Sequence, residues 1–256
     1  MAHFVKPSHL LLFVFFLSSL ESILATRREG EGEALVKWKN SLAPSSFLDS
    51  WSLTNLDNLC NWTGITCNSA GSVTEINLFG KKLDGRLSEF GFTSFPNLNN
   101  LTLADNFFLG PIPPAIENLT QLQYLDLSFN YLDGPIPFQN LFKGSIPLDI
   151  RNLKLLESIN LGSNQLVGPL SMLISNLTNL KMVGLSDNRF FGKIPSDFLK
   201  NLPSLHVIDL SNNNLSGNIP REYNVHPILE YINLSGNHLT GLLLPQYILF
   251  SFCMLH

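Results

Sequence analysis

Charge is scarce in this chain: 14% of its 256 residues are Asp, Glu, Lys or Arg, whereas 45% are hydrophobic. A compact single domain normally carries about 25% charged residues, so the composition argues against one large solvated globule. A net charge of −4 gives no electrostatic reason to bind nucleic acid or an anionic bilayer. Long apolar runs are missing too. The best late candidate, Leu242 to Leu255, has 14 residues and contains Pro245 and Gln246, short of the roughly 20 a spanning helix needs. The six histidines, at 3, 9, 206, 226, 238 and 256, never stand with a nucleophile in a recognised motif. Phosphate-binding and kinase glycine loops are also lacking. No catalytic residue, no metal, no cofactor and no small-molecule substrate is expected.

The start of the chain reads as a leader. Lys6 precedes an unbroken apolar run from Leu10 to Leu17, followed by Ser18, Ser19 and a stretch ending near Ala25. This is the pattern of a secretory signal peptide over residues 1–25, removed in the mature protein. The mature chain is then secreted, or is a piece that stops before an anchor.

After the leader, residues 27 to 42 carry Arg27, Arg28, Glu29, Glu31 and Glu33, then Ala34, Leu35, Val36, Trp38 and Leu42. The spacing predicts a short amphipathic helix with its glutamates near the positive end. Pro44 to Ser46 break it, and Phe47, Leu48 and Trp51 add a second apolar cluster. So small a segment is expected to act as a lid, with residues 26–72 forming an amino-terminal cap. Within it, Cys60 and Cys67 are separated by six residues. In an exported chain a disulfide between them is the expected state. A metal site would need further ligands, and no histidine is near in sequence.

The remainder is repetitive. Taking Leu122 as position 1, residues 118–137 place Leu at positions 1, 4, 6 and 11, Asn at 9, Gly at 13 and Ile-Pro at 15 and 16. The same frame starts at Val73, Leu98, Leu156, Leu180, Leu205 and Leu229, at intervals of 25, 24, 34, 24, 25 and 24 residues. Such a period marks a solenoid, in which each unit buries its apolar face only against its neighbours.

Three features together, the helix with Leu35, Trp38 and Leu42, the C-x-W-x-G-I-x-C block at 60–67, and the L-x-x-L-x-L-x-x-N-x-L-x-G-x-I-P units over 73–241, resemble a known family. They look like the extracellular domains of plant leucine-rich-repeat receptor-like kinases and receptor-like proteins. The resemblance implies an α/β solenoid: a right-handed superhelix with a parallel concave β-sheet and a plant-type amino-terminal cap. It implies recognition of secreted peptides, other receptors or microbial molecules at the cell surface.

Each position has a physical reading. Positions 4 and 6 alternate with polar neighbours, so Tyr124 to Ser128 is expected to form a strand with Leu125 and Leu127 inward. The position-9 asparagines, Asn106, Asn130, Asn164, Asn188, Asn213 and Asn237, are expected to stack and satisfy turn backbone. The first repeat has Lys81 there. Gly at position 13 and Pro at 16 turn each unit onto its convex side. The 34-residue interval repeats half a unit, Gly134 to Pro137 and again Gly144 to Pro147, leaving a partial unit at 138–155. Either a convex bulge or a break in the sheet is expected there. After Gly241 comes an apolar tail, 242–256, with an unpartnered Cys253 and no regular cap. A receptor ectodomain shortened before its anchor is expected.

Binding residues are expected at positions 3, 5, 7 and 8, which packing leaves free. Phe79, Tyr124, Phe129 and Tyr231 are candidate aromatic anchors, and Asp126, Asp187 and Asp209 give the face an acidic bias without arginine. The resemblance implies that peptide-binding members hold a peptide carboxylate with an arginine pair, which this face lacks. A basic peptide or a partner-receptor ectodomain is therefore favoured. Six N-x-[ST] sites, Asn61, Asn100, Asn118, Asn176, Asn214 and Asn233, are candidate glycan acceptors. Non-catalytic recognition is expected, in the apoplast or on the outer face of the plasma membrane, with membrane attachment only through a partner or a missing anchor. The alternatives are a secreted inhibitor of microbial wall-degrading enzymes, which would carry a paired-cysteine carboxyl cap, and a non-functional fragment.

Overall fold

A computed structural model describes residues 28–133, 148–170, 177–221 and 226–241. The leader, the tail with Cys253, and Asn176 lie outside them.

The amino-terminal segment forms the expected helix, described over residues 28–41. It buries Leu35 and Trp38 on one side, with Leu42 following its end. The Trp38 ring meets Phe90 edge-on at 4.8 Å and stacks on Phe108 at 5.7 Å, and its Nε1 donates to the Arg86 carbonyl at 3.1 Å. Trp51 and Trp62 extend the cluster, each donating its ring N–H to a backbone carbonyl. The cap thus covers the apolar end that the first repeat would expose. Glu31, in the first turn as expected, is fully buried, and its Oε2 accepts from the Val73 amide at 3.0 Å, tying the helix to the first repeat. Cys60 and Cys67 are bonded, with an S–S distance of 2.09 Å.

Numbered along the chain, the strands are β1 (Ile65–Cys67), β2 (Val73–Asn77), β3 (Asp84–Arg86), β4 (Asn100–Thr102), β5 (Phe107–Gly110), β6 (Tyr124–Asp126), β7 (Tyr131–Leu132) and β8 (Ser158–Asn160). They continue as β9 (Val167–Pro169), β10 (Met182–Gly184), β11 (Arg189–Lys193), β12 (Val207–Asp209), β13 (Asn214–Asn218), β14 (Tyr231–Asn233) and β15 (His238–Thr240). One strand from each repeat, preceded by β1, builds an eight-stranded inner sheet in the order β1-β2-β4-β6-β8-β10-β12-β14. Only the β1–β2 pair is antiparallel; the repeat strands pair in parallel and in register. The return paths include short 3-10 helices such as Pro114–Asn118 and Leu148–Asn152. Frame leucines fill the space between: Leu122, Leu125, Leu127 and Leu132 are buried, as are their counterparts in the other repeats. Each such side chain contributes about 1.5–3 kcal/mol by leaving water.

The asparagine column forms, with each amide spanning two repeats. Asn130 Nδ2 donates to the carbonyls of Leu103, Leu127 and Ser128 at 3.0–3.1 Å, and its Oδ1 accepts from the Phe108 amide at 3.0 Å. Asn106, Asn164, Asn188, Asn213 and Asn237 each make the same pattern toward the preceding repeat. A second regularity falls one residue earlier. Position 8 is left-handed in every repeat: φ is 57° at Asp105, 53° at Phe129, 54° at Ser163 and Asp187, and 53° at Asn212, with Gly80 and Gly236 at 65° and 64°. Small polar residues and glycine tolerate this region; a bulky side chain does not, at about 1–2 kcal/mol. Phe129 is the bulky exception.

The long interval resolves in favour of the inner sheet. Strand β6 pairs directly with β8, Tyr124 opposite Ser158 and Asp126 opposite Asn160. The column continues as well: Asn164 Nδ2 donates to the Leu127 carbonyl at 3.0 Å, and Leu132 N–H donates to Asn164 Oδ1 at 2.9 Å. The concave sheet is therefore unbroken. Among the described residues the outer strands form two groups, β3-β5-β7 and β15-β13-β11-β9, and the Gln165 N–H still donates to the Leu132 carbonyl at 2.9 Å between them. Residues 134–147, where the repeated half-unit falls, lie outside the described ones.

Candidate functional site

Pairing in register sorts the concave side chains into rows that cross the strands. Row 3 reads Glu75, Asn100, Tyr124, Ser158, Met182, Val207 and Tyr231; row 5 reads Asn77, Thr102, Asp126, Asn160, Gly184, Asp209 and Asn233. Row 7 is small, with Ser128, Gly162, Ser186, Ser211 and Ser235 after Phe79 and Ala104. Row 8 is the left-handed turn that rims the sheet.

Of the expected anchors, Phe79, Tyr124 and Phe129 are 58%, 48% and 61% exposed, and Met182 joins them at 40%. Tyr231, expected to be exposed, is half-buried. Asp126 and Asp209 are half-buried, and part of each carboxylate holds the strand end. Asp126 Oδ1 accepts from the Ser128 amide at 3.0 Å and the Ser128 hydroxyl at 2.6 Å; Asp209 does the same with Ser211 at 2.9 and 2.6 Å. Asn77, Asn160 and Asn233 make the corresponding bond in their repeats, so an amide serves that turn as well as a carboxylate. Asp187 is exposed on the rim, where its Oδ1 accepts from Asn212 Nδ2 at 2.9 Å.

Rows 3, 5, 7 and 8 hold five carboxylates, on Glu75, Asp105, Asp126, Asp187 and Asp209, and no lysine, arginine or histidine. Lys181, just before row 3 on its strand, is bonded to Glu157 at 2.6 Å. The hydrogen bond to Glu157 raises the Lys181 ammonium above its ordinary pKa. Among the described residues, no group of three or more His, Cys, Asp or Glu could hold a metal ion. None of their helices is long and apolar enough to cross a membrane.

Sequence reasoning missed a second exposed feature. Phe107 and Tyr131, on the outer sheet, stack at 6.2 Å, and both are exposed, as is Leu109. With Phe129, Asp105, Asn106, Asn130 and Ser163 they line a depression of about 270 Å³ beside the rim. The signal was present at position 10, where the later repeats have Gln165, Arg189, Asn214 and His238.

The glycan candidates divide by environment. Asn61, Asn118 and Asn214 are exposed, away from the concave rows. Asn100 and Asn233 are half-buried within those rows, and Asn233 Oδ1 already accepts from the Ser235 hydroxyl at 2.7 Å.

This architecture of cap, parallel inner sheet and asparagine column is matched by known families. Residues 28–68 match the leucine rich repeat N-terminal domain, and 178–239 match the leucine rich repeat. Further leucine rich repeat matches cover 97–119, 121–153 and 229–253. The chain belongs to the plant leucine-rich-repeat receptor-like ectodomains. Among its relatives, phytosulfokine receptor 1 of Arabidopsis thaliana is 40% identical over 129 residues, which is 49% of this chain but 12% of that receptor. The chain therefore corresponds to a small part of the curated relatives it matches. Two solved structures from Arabidopsis are similar in fold. One is the HAESA ectodomain in complex with an IDA peptide hormone, with a TM-score of 0.62 and 28% identity over 82% of this chain and 38% of that one. The other is a chain of the BIR3–SERK2 complex, with a TM-score of 0.53 and 31% identity over 81% of this chain and 94% of that one.

Proposed function

We propose that the chain is an extracellular recognition protein that holds a secreted peptide or a partner-receptor ectodomain on its concave face, without chemistry of its own. It acts in the apoplast or at the outer face of the plasma membrane. The observation that carries this is the exposure of Tyr124, Phe129 and Met182 on a sheet whose backbone is fixed by the asparagine column. Large apolar side chains held on a rigid face are the usual anchors of protein interfaces. Further support comes from the similarity to a receptor solved with a peptide and to a chain solved in a receptor pair. Asn61, Asn118 and Asn214 carry glycans compatible with an open face, since they lie off the concave rows.

The test is capture. The secreted chain and its Tyr124→Ser/Phe129→Ser variant are immobilised and exposed to apoplastic-fluid peptides and to soluble receptor ectodomains, with bound species identified by mass spectrometry. Expected is a defined species retained by the parent and lost by the variant. Identical retention by both, or none by either, overturns concave recognition.

A further inference from the structure

The concave face has exposed apolar groups and charge of one sign, arranged with a spacing. Tyr124 and Met182 stand in row 3 on β6 and β10, with Ser158 between them. Four carboxylates flank that strip as two pairs. Asp105 and Asp126 belong to the second and third repeats, and Asp187 and Asp209 to the fifth and sixth. Among the described residues, the ion pairs join Lys37 to Glu89 and Lys181 to Glu157, so none of the four is neutralised. Asp126 on β6 and Asp209 on β12 are three strand steps apart in the inner sheet. At about 4.8 Å per step that is about 14 Å, the reach of four residues of extended chain at about 3.3 Å each.

Resting on the concave-face reading above, we propose that the ligand is an extended peptide crossing the strands. Its basic side chains, four residues apart, each meet one acidic pair, and the apolar side chains between them lie on Tyr124 and Met182. The charge complementarity selects this occupant over an acidic or neutral one. The row of small residues, Ser128, Gly162, Ser186 and Ser211, lets the peptide backbone approach the sheet beside the acids.

The probes are synthetic nine-residue peptides with leucine at the centre and otherwise uncharged: one with arginines four apart, one with arginines two apart, and one with citrulline in place of both arginines. Fluorescence anisotropy against the secreted full chain is expected to rank the four-apart peptide about tenfold tighter than either comparator, with the advantage shrinking as salt rises. Asp126→Thr/Asp209→Thr should bring the three peptides to within about twofold of each other. Threonine is the residue that Thr102 supplies in row 5, whereas asparagine before Leu-Ser would create new glycan acceptors. Asp105→Asn/Asp187→Asn is the second variant, since Asn212 already holds that left-handed turn, and it should produce the same levelling.

Equal binding of arginine and citrulline peptides, or a preference untouched by both acid variants, overturns the basic-ligand inference. If that binding is still lost in Tyr124→Ser, the concave reading survives its failure. No binding by any of the three also overturns the inference, and the capture experiment above then decides the concave reading separately.

Discussion

The two sheets of this molecule differ across the same irregularity. Across the 34-residue interval the inner sheet keeps its pairing, with Leu127 N–H donating to the Asn160 carbonyl at 2.9 Å. That is the bond Leu103 makes to Asp126 and Leu185 to Asp209, both at 2.8 Å, in regular intervals. Among the described residues the outer strands fall into two groups at the same place, with Gln165 N–H donating to the Leu132 carbonyl at 2.9 Å between them. The difference lies in what each sheet is attached to. Inner strands sit on two buried leucine rows and are stitched between repeats by the asparagine column. Outer strands are as short as two residues at Tyr131–Leu132 and carry exposed side chains at Phe107, Leu109 and Tyr131. Across the interval the surface proposed for recognition stays continuous.

The comparison can be broken most severely at an inner leucine. Leu125→Ala should cost about 3–5 kcal/mol by urea denaturation, while the same truncation at exposed Leu109 should cost about 1 kcal/mol or less. A similar loss at both sites would mean that the sheets share the load.

Next comes the column where it bridges the interval. Asn164→Ala leaves the Leu132 amide without its acceptor and takes one of two donors from the Leu127, Leu161 and Gly162 carbonyls, which keep Asn130, Asn188 and the Phe129 amide. The expected loss is about 2–3 kcal/mol. Asn237→Ala, at a half-buried site in the last repeat, should cost about 1 kcal/mol. Equal costs would show that the column does no more at the interval than at its end.

A deletion sharpens the contrast further. Removing residues 134–143 restores a spacing of 24 between Leu122 and Leu156. Stability should stay within about 1 kcal/mol of the parent, because the connection between Leu122 and Leu156 returns to the regular repeat length. Amide exchange should become slower around β7 and β9 as the outer sheet joins. Unfolding on deletion would contradict this division of labour between the sheets.

The smallest expected effect is a gain. Phe129→Asn replaces an exposed phenylalanine at φ 53° by a residue that tolerates the left-handed region, and should stabilise by about 0.5–1 kcal/mol. If Phe129 is an anchor, the same change weakens ligand capture. A stabilised variant with undiminished capture would remove it from the binding face.

Much of the inner architecture was legible because it repeats. Leu125 and Leu127 inward, Asn130 at the turn, Trp38 in the cap and the Cys60–Cys67 bond all follow from local pattern or compartment. The features that were not legible depend on neighbours distant in sequence. Glu31 reads as a first-turn glutamate, and its burial is set by the amide of Val73, 42 residues away. Position 8 was legible in principle, since Gly80, Asp105, Asp187, Asn212 and Gly236 are residues that accept positive φ, but Phe129 breaks the rule and hides it. The outer sheet has short strands interrupted by glycine, so no alternation marks it.

The most direct measurement is hydrogen exchange at single amides of the inner sheet across the interval. Leu127 and Leu161 N–H should be protected to the same degree as Leu103 and Leu185, since all four make the same inter-repeat bond at 2.8–2.9 Å. A Leu127 amide exchanging at the rate of an unpaired peptide, with Leu103 and Leu185 still protected, would mean that the concave sheet is broken there and that no continuous recognition face exists.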